Sequence, residues 1–202
     1  MKKIVLAVAL AMFGLSQPAM AQSEVSVGGS TVDVKNGKDS KQLELGYASS
    51  LTVPKLGVVD YAAVAELGDG VKTLGVTGGR KLTVGKATVT PGLELGYGSR
   101  EVTQKVKSGY KTTLVTDDEG YGFGGASLNV SYPLPLTPAG LSLDAGVRYR
   151  ESLTDDVDFD ETRVFGGVKY AFSDKQTLGV EARKTTGTVK SNGIGLKFTQ
   201  KF

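Results

Sequence analysis

The sequence predicts an all-β fold, a transmembrane antiparallel up-and-down β-barrel of about ten strands, with eight as the alternative. Three observations carry that expectation. Hydrophobicity alternates with period two along almost the whole chain, and no apolar i, i+3, i+4, i+7 pattern persists. The alternating runs are mostly about 11 residues long, enough at a tilt of ~40° to cross roughly the 25 Å apolar band of an outer-membrane barrel. Soluble strands are usually about half that length. Finally, only 40% of the 202 residues are hydrophobic, so no stretch approaches the ~20 apolar residues of a membrane-spanning helix.

The elements follow in order. Residues 1–21 read as a secretory signal peptide: Lys2 and Lys3 give the positive start, Ile4 to Leu15 the short apolar stretch, and Ala19-Met20-Ala21 the small-x-small cleavage pattern. The barrel then occupies 22–202. Turn signals at Asn36-Gly37, Gly68-Asp69-Gly70, Pro133 to Gly140, Ser173-Asp174-Lys175 and Asn192-Gly193 help divide it into ten runs. These are 24–34, 40–50, 57–67, 72–84, 88–99, 120–132, 141–151, 162–172, 176–187 and 192–202. An even count puts both chain ends on one side, and the longest connections, 100–119 and 152–161, then fall together on the other. The recurrence of Leu43-Glu44-Leu45-Gly46-Tyr47 as Leu93-Glu94-Leu95-Gly96-Tyr97 reads as shared strand chemistry, since these runs point in opposite directions.

Alternation does not say which face points outward. Charges near mid-strand argue that the polar face is enclosed, because a wet interior lets them pair. The expected lumen network is acidic at Glu44, Asp60, Glu66, Glu94, Asp144 and Glu181, and basic at Arg148, Arg150, Arg163, Lys169, Arg183 and Lys197. Equal numbers of each sign imply neutralisation rather than a selectivity filter. Gly and Ala crowd that face, as a narrow lumen holding long cations requires. Aromatics near run ends (Tyr47, Tyr97, Tyr132, Tyr149, Tyr170, Phe172 and Phe202) would form the interfacial girdles. Three places resist the phase. Arg80 falls on the apolar side, where mid-membrane placement costs ~2–4 kcal/mol, and Gly28-Gly29 and Gly124-Gly125 interrupt the alternation. Bulges at Gly78-Gly79 and at these two pairs would restore it.

The final run, Ile194-x-Leu196-x-Phe198-x-x-x-Phe202, resembles the terminal strand of bacterial outer-membrane β-barrels. In that family the strand is recognised by the barrel-assembly machinery, so the resemblance implies Phe198 and Phe202 as assembly signals. Together with the signal peptide and the turn asymmetry, it extends over 22–202. Among small Gram-negative members the chain is similar to the YfaZ-like and opacity-type porin-like barrels. The resemblance implies a monomer in the bacterial outer membrane, with membrane lipid and lipopolysaccharide as its surroundings.

The chain holds no His and no Cys, which excludes Ser-His-Asp and Cys-His catalysis, His-ligated metals and disulfides. Barrel enzymes of similar size rely on His, so the resemblance implies no enzyme, and no cofactor is expected. A net charge of +3 before signal-peptide removal points to no nucleic-acid partner. The acidic loop Asp155, Asp156, Asp158, Asp160 and Glu161 offers oxygen ligands for Ca²⁺ but lacks an EF-hand pattern, and a solvated loop is the plainer reading. The segment 100–119 carries Arg100, Lys105, Lys107 and Lys111, then Asp117, Asp118 and Glu119, and reads as a polar surface loop available to lipopolysaccharide phosphates or a ligand. Three roles remain open: a structural or surface-interaction barrel, a narrow weakly selective pore, and a soluble periplasmic barrel carrying an apolar ligand.

Overall fold

A computed structural model describes residues 23–34, 40–53, 57–68, 71–108, 111–135, 140–154, 157–188 and 190–202. The expected signal peptide lies outside them. The strands are β1 (Glu24–Val34), β2 (Ser40–Val53), β3 (Gly57–Gly68), β4 (Val71–Gly79), β5 (Leu82–Val84), β6 (Ala87–Ser108), β7 (Lys111–Pro133), β8 (Leu141–Ser152), β9 (Asp160–Ala171), β10 (Gln176–Gly187) and β11 (Ser191–Lys201). All pairings are antiparallel between chain neighbours, and β1 pairs with β11. β4 and β5 are one strand interrupted at Arg80 and Lys81 and both pair with β6, so the sheet closes as a ten-stranded barrel. The interruption has a local cause. Arg80 N–H donates to the Pro91 carbonyl at 3.3 Å, and Pro91 has no N–H to return.

Closure brings the chain ends together: the Phe202 N–H donates to the Ser23 carbonyl at 2.9 Å. We call this the terminal end and the opposite one the distal end. At the terminal end, Gly85 (φ 63°) turns the β5–β6 hairpin in a backbone conformation that most side chains resist.

The apolar face points out. Leu93 is 73% exposed and Leu196 58%, and Leu143, Val147, Val164, Val168, Val180 and Ile194 are likewise exposed around the wall. In a barrel such a belt belongs against acyl chains. Tyr97 and Tyr149 stand outward toward the distal end, while Tyr132, Tyr170, Phe172 and Phe202 do so toward the terminal end, where the Phe172 and Phe198 ring centroids are 6.3 Å apart. Tyr47 departs from the expected girdle. It is 6% exposed, with its hydroxyl 3.1 Å from Ser23 Oγ and its ring 6.4 Å from Tyr61.

None of the expected bulges forms. Along β1 the partners run unbroken from Glu24–Ala48 to Val32–Ser40, passing Gly28 and Gly29 in register. β4 keeps step with β6 from Val71–Arg100 through Gly79–Gly92, and β5 resumes the same register at Leu82–Val89. β7 holds one register against β6 from Thr88–Ser131 to Ser108–Lys111. The polarity pattern slips and the backbone does not, because some inward positions are apolar. Val32, Tyr121 and Phe123 are all buried on the lumen side. Arg80 simply points outward, one residue beyond the last β3–β4 pair, Asp60–Gly79, near the terminal rim rather than at mid-membrane. There its long stem can carry the guanidinium to the interface.

The segment 100–119 is likewise not a loop. β6 and β7 continue past the last partners of β6 on β4 (Val71–Arg100) and of β7 on β8 (Phe123–Ser152), and pair with each other up to Ser108–Lys111. The result is a two-stranded ribbon projecting from the distal end.

Candidate functional site

Inward positions alternate strictly along each strand, so residues far apart in sequence meet across the lumen. On β8 the inward set includes Asp144, Arg148 and Arg150; on β9 it is Glu161, Arg163, Phe165 and Lys169; β3 contributes Glu66 and β6 contributes Glu94. At the heart of the distal half, Arg150 is 1% exposed. Its Nη1 donates to Glu66 Oε2 at 2.7 Å, and its Nε and Nη2 grip Glu94 at 3.0 and 2.5 Å. The planar guanidinium and the carboxylate thus make a two-pronged contact that a lysine could not reproduce. Arg148 Nη2 reaches Glu66 at 3.1 Å and Glu161 at 2.9 Å, and Arg163 bonds Glu66 at 2.5 Å. Thr73 Oγ1 adds a bond to Glu66 Oε2 at 3.1 Å. Three guanidinium groups therefore face three carboxylates, all six side chains largely buried. Each charge is costly to bury alone and tolerable only because the others are present.

Above this cluster sits an apolar lid. Tyr121, Phe123, Val157 and Phe159 pack together in the distal mouth, with Tyr121 and Phe159 centroids 4.6 Å apart. Phe123 is 0% exposed and lies 4.7 Å from the Arg150 guanidinium carbon, so cation and ring are in direct contact. Glycines opposite make the room. A Cβ on Gly96 would stand 2.3 Å from Phe123 Cζ, and one on Gly98 would stand 2.6 Å from Tyr121 Cζ. The segment carrying Val157 and Phe159 is held down by Ser152 N–H to Phe159 O at 2.8 Å, Leu153 N–H to Gly122 O at 2.8 Å, and Arg100 Nη1 to Asp158 O at 2.9 Å.

The acidic loop accordingly does something other than gather around a cation. Asp155 and Asp156 lie outside the described residues. Glu161 turns into the lumen and pairs with Arg148 and Arg163, whereas Asp160 is exposed and accepts from Thr188 Oγ1 at 2.7 Å. Among the described residues no His, Cys, Asp and Glu cluster has metal-binding spacing.

The terminal half is different. A cavity of about 710 Å³ opens there, bordered at depth by Glu94, Arg148 and Arg163 and nearer the mouth by Asp60, Asp144, Lys169 and Lys201. Its ion pairs are partly wet: Lys197–Glu44 at 2.6 Å, Lys169–Asp144 at 3.3 Å and Lys81–Asp60 at 3.1 Å. Arg183 departs from the expected carboxylate pairing and donates to Ser30 Oγ and Gln42 Oε1 instead, while Glu181 borders the cavity. Among the described residues the barrel is thus a cup, filled by side chains in its distal half and hollow toward its terminal end.

Of the expected lumen residues, the structure brings Glu66, Glu94, Arg148, Arg150 and Arg163 into one cluster and spreads Glu44, Asp60, Asp144, Lys169 and Lys197 around the cup. Sequence reasoning missed Glu161 and Lys81 as partners and Tyr121, Phe123, Val157 and Phe159 as a plug. The signal was present in the broken alternation at Gly124-Gly125, where keeping strict period two across the pair would have turned Tyr121 and Phe123 inward.

The β-domain of the Bordetella autotransporter Brka superposes with a TM-score of 0.56 at 15% identity, covering 91% of this chain and 100% of that one. The fold is that of an outer-membrane β-barrel. An outer-membrane channel from Pseudomonas putida F1 aligns with a TM-score of 0.48 at 14% identity, over 93% of this chain and 97% of that one. The NanC porin aligns at 0.48 and 11% identity, over 87% and 98%. No protein-family profile and no curated protein sequence matches the chain. The barrel's lipid-facing belt and closed sheet agree with an outer-membrane location.

Proposed function

We propose that the barrel is a non-conducting, non-enzymatic outer-membrane protein whose contacts are made at its two ends. The observation that carries this reading is Arg150, enclosed between Glu66 and Glu94 and capped by Phe123, which fills the described centre of the distal half with paired charge and an aromatic ring. A narrow pore would have to separate those charges or displace the lid. The lumen carboxylates of the cluster are held by guanidinium groups, which supports a structural rather than an acid–base role. The β6–β7 ribbon extends beyond the rest of the wall at the distal end, and long excursions belong to the outer side of such barrels; this favours the terminal end as periplasmic and the ribbon as outside, where lipopolysaccharide or another surface would meet it. Export through residues 1–21, a monomeric barrel, and assembly through Phe198 and Phe202 complete the proposal.

Planar-bilayer recording on refolded protein tests it. A silent bilayer, with folding confirmed by a heat-dependent gel shift, is the expected result. Stable conductance steps would transfer the reading to a pore.

A further inference from the structure

The hollow half of the lumen holds polar side chains that no other part of the protein uses. Its ionic groups are matched: Lys197 with Glu44, Lys169 with Asp144, Lys81 with Asp60, and Arg148 and Arg163 with Glu66 and Glu161. A charged ligand would have to break one of these pairs. The uncharged groups differ. Thr88 and Thr90 on β6 and Ser127, Asn129 and Ser131 on β7 are half-buried and border the 710 Å³ cavity, and among the described residues none of their side chains has a hydrogen-bond partner.

Register sets these groups in a grid. Thr88 stands opposite Ser131 and Thr90 opposite Asn129, with Gly92 opposite Ser127 one step deeper. Successive inward rows are about 6.6 Å apart and the two strands about 4.8 Å. Gly92 leaves room for the third row, since a Cβ there would stand 2.9 Å from both Ser127 Oγ and Thr77 Cγ2. Beside the grid lies an aromatic ring. Asn129 is opposite Gly146, and Gly146 is opposite Phe165. A Cβ on Gly146 would collide with Phe165 Cζ and stand 2.6 Å from Asn129 Oδ1, so ring and amide meet over that glycine. Phe165 borders the same cavity.

We propose that this wall binds a neutral pyranose sugar. Hydroxyl and amide groups both donate and accept, as sugar hydroxyls do, so a sugar edge laid along β6 and β7 finds a partner at each row. The flat C–H face of the sugar is apolar and rests on the Phe165 ring, a contact that a linear polyol cannot reproduce. A cavity of about 710 Å³ is within the range of small-molecule sites. The site lies wholly in the hollow half, so it does not depend on whether the distal half conducts.

Equilibrium dialysis of the barrel refolded in lauryl dimethylamine oxide, a detergent without a sugar headgroup, tests this with methyl β-glucoside. Methyl β-glucuronide and sorbitol serve as comparison probes. Saturable one-to-one binding of the glucoside below about 50 mM is expected, with sorbitol at least about 10-fold weaker and the glucuronide no tighter. Raising the salt should leave the glucoside affinity unchanged, because no charge is engaged. Thr90→Val and Ser127→Ala should each weaken the glucoside about 5-fold, the loss of one ordinary hydrogen bond. Phe165→Leu should weaken the glucoside and leave sorbitol unchanged. Absence of saturable glucoside binding by a barrel that shows the heat-dependent gel shift would overturn the proposal. So would sorbitol binding equal to the glucoside, tighter and salt-sensitive binding of the glucuronide, or full glucoside affinity in both Thr90→Val and Ser127→Ala.

Discussion

Replacing Arg150 by Met tests the charge cluster most directly. Arg150 supplies both hydrogen bonds that Glu94 receives among the described residues, and one of the bonds to Glu66. Methionine retains most of the volume and removes the cation. The three-against-three balance becomes two guanidinium groups for three carboxylates, with Glu94 left charged, buried and unmatched. Removing one partner from a buried pair costs about 3–5 kcal/mol. With a urea dependence of about 2 kcal/mol per molar, the unfolding midpoint should drop by roughly 2 M. The assay is a urea titration of barrels folded in lipid vesicles, with folded fraction read from unheated gel mobility. The double variant Arg150→Met with Glu94→Gln removes one charge of each sign and should recover at least about half of the loss, because the stranded carboxylate is gone. A single variant that loses under about 1 kcal/mol, or a double variant no more stable than the single, would refute the idea that mutual neutralisation holds the distal half together.

Other perturbations probe the remaining parts. Gly96→Ala should destabilise by about 1–3 kcal/mol through overpacking, since its Cβ meets both Phe123 Cζ at 2.3 Å and Leu74 O at 2.5 Å; Gly29→Ala, with nothing within 4 Å, should be neutral in the same titration. Phe123→Ala should cost about 3–5 kcal/mol and, in bilayer recordings, should admit brief conductance events that the parent lacks. Val76→Arg, on the outward face of β4, should cost ~2–4 kcal/mol, whereas Arg80→Leu near the rim should change stability by less than about 1 kcal/mol. Deleting Phe202, which is exposed at the terminal end, should reduce outer-membrane insertion in cells while leaving refolding in detergent largely intact, measured by fractionation and gel shift.

Much of the architecture could be read from the residue order. The run at 24–34 matches β1 and that at 176–187 matches β10; most others are shifted by a few residues at their ends, whereas 72–84 is split into β4 and β5, and 88–99 and 120–132 each fall nine residues short of β6 and β7 at the distal end. That Leu143 and Val147 share one face and Arg148 the other follows from period two, and the mid-strand charges then assign the apolar face outward. The reading failed where polarity was taken as the guide to direction. Gly28-Gly29 and Gly124-Gly125 looked like bulges because Val32, Tyr121 and Phe123 are apolar yet face inward. The segment 100–119 looked like a loop because its polar composition hid an extended ribbon, and strand pairing outside a membrane needs no apolar face. Glu161 looked like a possible cation ligand because its sequence neighbours are acidic, although its spatial neighbours are arginines.

Residue order alone therefore determined the class of object: the period, the strand lengths, the even closure and the enclosed charges are local properties of the chain, and an acyl environment leaves only one face for the apolar set. It could not determine how the lumen is divided. Which carboxylate meets which guanidinium depends on register and on barrel closure, which bring Glu66, Glu94, Arg150 and Arg163 together from four strands. Whether the interior is plugged or open depends on where a few large rings find room opposite glycines. Those are relations between distant segments, and only the closed barrel sets them.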